Sequence, residues 1–284
     1  MKQQTAGRLS DYSPLFYPGL MLVVFFVIPF GIMLAVSFFQ RDPAGFYSVD
    51  FVFDNYARFI SAFFGKVLGF SLVLAITVSL ACVVIAFPFT YLLTRCRRST
   101  QIVWLVGILA VLSLSEVIIG FAWSTLFSRT AGLGNVFAAL GLVEQSSALY
   151  PSFGAVLTAM IYQALPYTVL VLYPALVRFN RDYMEAAQTL GASPYRAFFN
   201  VLIPAQRSTL VATLIMVFIF ALGSYLLPQI LGRPQHWTLS VLITDQAIYQ
   251  SNVPFAAAMA IFLVLISLAL VGLTLLVGKP EQQS

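Results

Sequence analysis

The sequence predicts an all-α membrane protein with six transmembrane helices. Of its 284 residues, 60% are hydrophobic and 9% charged, where an average soluble chain carries about 25% charged residues. The apolar residues fall in continuous runs, several reaching the roughly 20 residues that cross a bilayer as a helix. Barrel strands would alternate instead. A third observation, the distribution of Lys and Arg, gives the orientation.

Residues 1–14 form a polar cytoplasmic lead carrying Lys2 and Arg8. The first span covers 15–39 and is too long, with no small-residue cleavage site, to be a cleavable signal peptide. A mixed outer loop with Asp42, Asp50 and Asp54 leads to the second span, 67–94, closed by Arg95, Arg97 and Arg98. The third span runs over 101–127. An outer loop containing Gly132-Leu133-Gly134-Asn135 precedes the fourth, 151–177. A polar stretch, 178–207, separates it from the fifth, 208–231. After an outer loop to Pro254, the sixth span reaches Gly278, and 279–284 is a cytoplasmic tail. Residues 15–278 thus read as one transmembrane domain.

With both ends cytoplasmic, ten basic residues fall inside: Lys2, Arg8, Arg95, Arg97, Arg98, Arg178, Arg181, Arg196, Arg207 and Lys279. Five fall outside, Arg41, Arg58, Lys66, Arg129 and Arg233. This excess is the positive-inside pattern, so the net charge of +5 is a topology signal and not a nucleic-acid footprint.

The polar stretch 178–207 reads as two short helices joined by an elbow. Asp182 and Glu185 are spaced as N-cap and N3 acid of a capping box, and both suit the positive end of a helix dipole. Ala186, Ala187, Gln188 and Leu190 favour helix. Gly191 can take the positive φ that ends one. Ser193-Pro194 starts the next, Ser as N-cap and Pro at the first helical position.

Glu116 is the exception in the apolar interior, about fifteen residues into the third span, at or somewhat outside the midplane at roughly 1.5 Å per residue. An ionised acid there costs about 3 kcal/mol on the lenient insertion scale. Helical spacing places Ser113, Gly120, Trp123 and Ser124 near its face. Thr158, Tyr162, Pro166 and Tyr173 make a similar stripe on the fourth span. A carboxylate among aromatic faces suits an amine cation; the other reading is a neutral or Arg-paired glutamate that fixes helix packing. Pro29, Pro88 and Pro166 inside spans are hinges or accommodated kinks.

No catalytic constellation is present, and no phosphate loop, so this chain does not bind ATP itself. His236 beside Trp237 reads as solvated or packed. Cys82 and Cys96 support neither a disulfide framework nor a metal site.

The stretch Glu185-Ala186-Ala187, three residues, Gly191, nine residues, then Val201, Ile203 and Pro204 resembles the EAA loop of permease subunits in ABC importers. Val201 stands where that pattern has Ile, and Ile203 where it has Leu. The segments Phe220 to Gly232 (FALGSYLLPQILG) and Val253-Pro254-Phe255-Ala256-Ala257-Ala258 resemble spermidine/putrescine-type permeases. So do Ala122-Trp123 and Gly134-Asn135.

The resemblance implies a type I ABC importer permease fold in a bacterial inner membrane and a non-enzymatic role. It implies two ATPase subunits that bind ATP and magnesium, docking on Asp182, Glu185, Ala186, Ala187, Gly191, Pro194 and Pro204. It also implies a periplasmic substrate-binding protein and a second permease subunit, a different chain. A polyamine or similar organic cation is the expected solute, with Glu116, Ser113, Trp123, Tyr162, Tyr173, Ser224 and Tyr225 along its route. Another small solute, such as an amino acid derivative, opine or aminophosphonate, is the alternative. From a different class, a proton-coupled secondary carrier would use Glu116 as relay. Against that carrier stand the coupling loop and the lack of visible inverted repeats.

Overall fold

The computed structural model describes residues 13–42, 45–129, 132–135, 140 and 148–277. The expected tail at 279–284 and most of the lead at 1–14, with Lys2, Arg8 and Lys279, lie outside them. Among the described residues the fold is helical throughout, with one isolated antiparallel bridge between Gln40 and Ser48.

Four helices are long and apolar enough to cross a membrane, and two bent pairs raise the number of candidate spans to as many as six. Helix α1 spans Tyr17–Val36. It widens to a π turn at Val23–Val27, immediately before Pro29, whose missing N–H cannot bond to Phe25 one turn back. Helix α2 spans Ala62–Arg95 and carries Pro88 within it. Its hydroxyls fold back onto its own carbonyls, Ser71 on Val67 at 2.7 Å and Thr90 on Ala86 at 2.6 Å.

The third span is not the single helix expected over 101–127. Helices α3 (Arg98–Leu112) and α4 (Glu116–Leu126) meet at 93°. Ser113 donates its hydroxyl to the Leu109 carbonyl at 2.9 Å, and Ser115 is extended at φ −64°, ψ 138°. Serine side chains offer the backbone an alternative to helix continuation, and here two flank the break. Ser113 and Glu116 therefore do not share a helix face.

Helix α5 spans Phe153–Arg178, with Ser152 capping it by accepting from the Ala155 N–H at 3.1 Å. Helices α6 (Asp182–Thr189) and α7 (Pro194–Ala205) follow, and α7 turns by 73° into α8, Arg207–Gly223. The segment expected as the fifth span, 208–231, also breaks. Helix α8 stops at Gly223, and α9 begins at Leu226 and ends at Leu231. Helix α10 covers Leu239–Thr244, and α11 covers Val253–Val277.

The chain divides into two compact units. In the unit formed by residues up to Ser61 with Ile243–Val264, the chain folds back after α1. The Asn55 amide donates to the carbonyls of Ser37 and Phe39, each at 3.0 Å. Phe38 packs among Phe51, Phe53 and Tyr56. Arg41 donates to the Gln250 carbonyl at 2.6 Å.

In the unit formed by Ala62–Leu242 with the residues from Leu265 on, α2, α5 and α8 pack together. One buried cluster joins Ala86 and Phe87 of α2, Val169, Leu172 and Leu176 of α5, Met184 of α6, and Ala197 and Leu202 of α7. The polar stretch between spans is thus built into the apolar core and is not an appended loop.

Candidate functional site

The first candidate site is the arm formed by α6 and α7. Its start differs by a residue or two from the expected capping box. Arg181, not Asp182, is the N-cap of α6 and has helical dihedrals. The Asp182 N–H is taken by the Asn180 side chain at 3.0 Å, an Asx turn that does the capping earlier. Asp182 and Glu185 still lie in the first helical turn, where their charge meets the positive end of the dipole.

The elbow forms as the residues dictate. Gly191 has φ +88°. Its N–H donates to the Gln188 carbonyl, and the Ala192 N–H donates to Ala187, both at 3.0 Å. These two bonds are a Schellman closure, which satisfies carbonyls left open at a helix end. Ser193 then caps α7 by accepting from the Arg196 N–H at 3.3 Å, with Pro194 at the first helical position. A π turn at Phe198–Leu202 widens α7 before Ile203-Pro204.

The arm has two faces of opposite use. Met184 is 2% exposed and sits in the core cluster. Tyr183 is 61% exposed, Leu190 89% and Tyr195 74%. Ala186, Pro194 and Pro204 are exposed as well, while Ala187 packs against the core. An apolar tip on a rigid base is a surface for another protein to grip.

A polar joint ties the arm to the spans, and sequence reasoning missed it. Arg181 Nη2 donates to the Thr94 carbonyl in the last turn of α2 at 2.8 Å. The Gln101 amide donates to Thr94 and Cys96 carbonyls at 3.2 and 2.9 Å. Tyr173 donates its hydroxyl to Gln101 Oε1 at 2.8 Å. Tyr173, expected on the solute route, is part of this joint. It lies 11 residues beyond Tyr162 on α5, about 16 Å along a helix axis.

The second candidate site is the meeting of the two breaks. Glu116 is the first residue of α4, and Ser224 follows the last residue of α8. Ser224 Oγ donates to Glu116 Oε1 at 3.0 Å. The Leu222 carbonyl, freed where α8 stops, accepts from Ser240 Oγ at 2.6 Å. Helix α4 lies close against α9 through Gly120, where a Cβ would come within 2.8 Å of Ile230 Cδ1. Tyr225, the N-cap of α9, is 39% exposed beside the break.

Trp123 and Tyr162 meet edge to face at 5.6 Å. Together they line a cavity of about 360 Å³ with Leu114, Ile118 and Ala122, and they share in a second of about 600 Å³ with Phe89, Trp104 and Pro166. Glu116 lines neither cavity. The expected route residues thus include a polar pair at the breaks, Glu116 and Ser224, with Ser113 and Tyr225 flanking them in sequence. They also include an aromatic pair against apolar walls, Trp123 and Tyr162, while Tyr173 lies further along α5.

The family described as the inner membrane component of binding-protein-dependent transport systems matches residues 9–279. The spermidine/putrescine transport system permease protein PotB of Escherichia coli K12 is 29% identical over 257 residues, 90% of this chain and 92% of its own. The xylose/arabinose import permease protein XacH of Haloferax volcanii is 29% identical over 210 residues, 71% of this chain and 66% of its own. In structure, a chain of a bacterial ABC transporter that imports the acidic polysaccharide alginate superposes with a TM-score of 0.75. It has 18% identity and covers 97% of this chain and 96% of its own. A chain of a bacterial alginate transporter in complex with its pentasaccharide-bound periplasmic protein gives 0.78 at 16% identity, covering 99% of each.

Proposed function

Since this chain belongs to the family of inner membrane components of binding-protein-dependent transport systems, we propose that it conducts a polyamine or similar organic cation through a pore it shares with a second permease. It is a multi-pass inner-membrane permease of an ABC importer, and ATP is hydrolysed on a separate ATPase subunit. That membership sets aside the proton-coupled carrier.

The finer arrangement is this. Six spans cross the membrane, α3 with α4 counting as the third and α8 with α9 as the fifth, with both chain ends in the cytoplasm. The domain of 15–278 includes a cytoplasmic arm at 178–207. Two ATPase subunits bearing ATP and magnesium grip the arms of two permeases, this chain through Asp182, Glu185, Ala186, Ala187, Gly191, Pro194 and Pro204. ATPase closure drives the arm upward. Because Met184, Ala197 and Leu202 share a core with α2 and α5, the push reaches the spans as a rigid displacement and reopens the pore toward the periplasmic binding protein.

The observation that carries the cationic solute is the Glu116 carboxylate at the junction of two broken helices, accepting from Ser224 at 3.0 Å. It is the one carboxylate among the described residues of α2, α4, α5, α8 and α9. Irregular backbone within a membrane is tolerated where it is buried in protein or lines a cavity. An ammonium group passing the junction would take the Ser224 hydroxyl's place on that oxygen. Tyr225 lies beside it, and Trp123 and Tyr162 contribute aromatic faces further along α4 and α5. The 29% identity to a spermidine/putrescine permease over 90% of the chain supports the same class.

The test is the ligand of the cognate binding protein, found by thermal-shift screening, followed by uptake into vesicles holding the complete complex. Stabilisation by spermidine or putrescine, with uptake of the same compound, is the expected result. Stabilisation by a pentose or by an acidic compound alone would overturn the cationic reading and leave the permease assignment standing.

A further inference from the structure

The arm also closes a groove, and apart from Pro194 and Tyr195, which border the docking face, the transport reading gives its lining residues no role. It has a volume of about 590 Å³ and lies between α2, the arm and the start of α8. Its far end is walled by Val83, Val84, Phe87 and Leu210. Along α2 the lining turns polar toward the helix end, with Tyr91 and then Arg95, and the arm adds Gln188 and Tyr195. Val83 to Arg95 is twelve residues, about 18 Å along a helix, which is close to the reach of an extended acyl chain across one leaflet of a ~30 Å hydrocarbon core.

The polar end carries charge of one sign. Arg95 lies over the Tyr91 ring at 4.4 Å, so its guanidinium is held at the groove's mouth. Among the described residues no carboxylate pairs with it. Arg97 and Arg98 follow on the same corner. The apolar end opens onto a face built for hydrocarbon, since Val73, Ile76, Leu80 and Val84 are exposed at helical spacing along α2, Val84 by 69%. An occupant must therefore be apolar along most of its length and negative at one end.

We infer that this groove binds an anionic phospholipid of the inner leaflet, its acyl chain along α2 and its phosphate on Arg95. The inference rests on the six-span orientation proposed above. Because Tyr195, Phe198 and Phe199 of the arm form one wall, a chain seated there props the arm against α2. Coupling of ATP hydrolysis to transport then depends on membrane charge. Basic pockets on the cytoplasmic side of membrane helices select anionic headgroups by this kind of attraction.

The experiment uses the complete purified complex in nanodiscs of phosphatidylcholine with or without phosphatidylglycerol. Two quantities are read: phosphatidylglycerol retained through a delipidating wash, by mass spectrometry, and substrate-stimulated ATPase. Wild type retains the anionic lipid, and its stimulated ATPase rises several-fold when that lipid is present. Arg95→Gln retains roughly fivefold less, the factor given by ~1 kcal/mol per basic side chain at an anionic surface, with phosphatidylcholine retention unchanged. Val84→Trp, which fills the groove, loses both lipids and the stimulation.

Equal phosphatidylglycerol retention in wild type and both variants would overturn the site. So would a Leu92→Cys variant that crosslinks efficiently to the partner permease, since a protein would then fill the groove. Labelling of an Arg98→Cys variant separates the premises. Reaction from the outer face would overturn the orientation and with it the inner-leaflet assignment. Reaction from the inner face, with lipid retention equal in wild type, Arg95→Gln and Val84→Trp, would remove the lipid site alone.

Discussion

Arg181 and Thr94 are 87 residues apart and joined at 2.8 Å, the guanidinium of one on the main-chain carbonyl of the other. The N-cap residue of α6 is thereby fastened to the final turn of α2. A cation on the carbonyls at a helix C-terminus also meets the negative end of its dipole.

Removing that fastening should uncouple the two ends of the machine. Arg181→Ala forfeits a charge-assisted bond of about 1.5–3 kcal/mol, at the low end because the bond is only partly buried. The complex should assemble with normal ATPase recovery and basal hydrolysis, while transport per ATP falls severalfold. Arg181→Lys, which still reaches the carbonyl with one donor, should recover part of the ratio. Equal uptake-to-hydrolysis ratios in all three proteins would show that the bond carries no load.

The elbow predicts a graded series at Gly191. A Cβ there meets open space, so Gly191→Ala costs only the left-handed backbone penalty of about 1–2 kcal/mol. Gly191→Pro cannot adopt φ +88° and also deletes the N–H on Gln188. Glu185→Lys reverses a first-turn charge, worth about 0.3–1 kcal/mol to the helix itself. ATPase co-purification should decline from Ala to Pro while membrane insertion is unchanged, and Glu185→Lys should weaken docking. Full ATPase recovery with Gly191→Pro and Glu185→Lys would remove the arm from the docking surface.

Glu116 tests the solute class. Glu116→Gln keeps the acceptor for Ser224 but loses the charge, so cation uptake should fall at least tenfold while complex yield and basal ATPase persist. Glu116→Asp keeps the charge and should do less damage. The packing alternative gives the reverse sign, because a neutral side chain relieves a buried charge. Unimpaired uptake with Glu116→Gln would leave Glu116 a structural residue.

His236 predicts a pH effect confined to its loop. Burial against Phe70 and Phe153, with a smaller push from the Arg233 charge, lowers its pKa below the usual 6.5. Its Nδ1 accepts from the Arg233 N–H at 3.3 Å, which requires a neutral ring nitrogen. A depressed histidine stabilises the fold fully above pH 6.5 and loses that contribution as pH falls toward its folded value. Amide exchange at 232–238 should therefore quicken between pH 7 and pH 5. In His236→Asn, which can accept the same bond and does not titrate, the pH dependence beyond intrinsic exchange should vanish. An identical profile in both proteins would assign the change to another group.

The arm was legible because its signals are local. Gly191 and Ser193-Pro194 specify their own backbone, and the structure follows them residue by residue. Asp182 misled because Asn180, two residues earlier, competes for the same N–H. The third-span break was hidden because hydropathy is blind to direction. Leu-Ser-Leu-Ser-Glu is apolar enough to continue a span, and it contains neither Pro nor Gly. Only the two serines and an acid in the position of a first helical residue mark it, a weak signal inside a long run. The bonds from Glu116 to Ser224 and from Tyr173 to Gln101 bridge 108 and 72 residues. No local pattern encodes such pairs, so both depend on how the helices meet.

The breaks at Ser113–Ser115 and at Ser224-Tyr225 give the molecule an uneven compliance. A continuous helix resists bending because each turn is tied to the next, whereas an interrupted one yields where those ties are missing. The arm, α2 and α5 share one core and respond as a stiff member. Compliance is concentrated where α3 meets α4 and α8 meets α9, and the Ser224–Glu116 hydrogen bond, beside the packing of α4 on α9, links the two joints. A force entering at the arm therefore spends little travel deforming the rods and most of it swinging the two joints. The swing available at each joint is then set by its geometry and not by the size of the push.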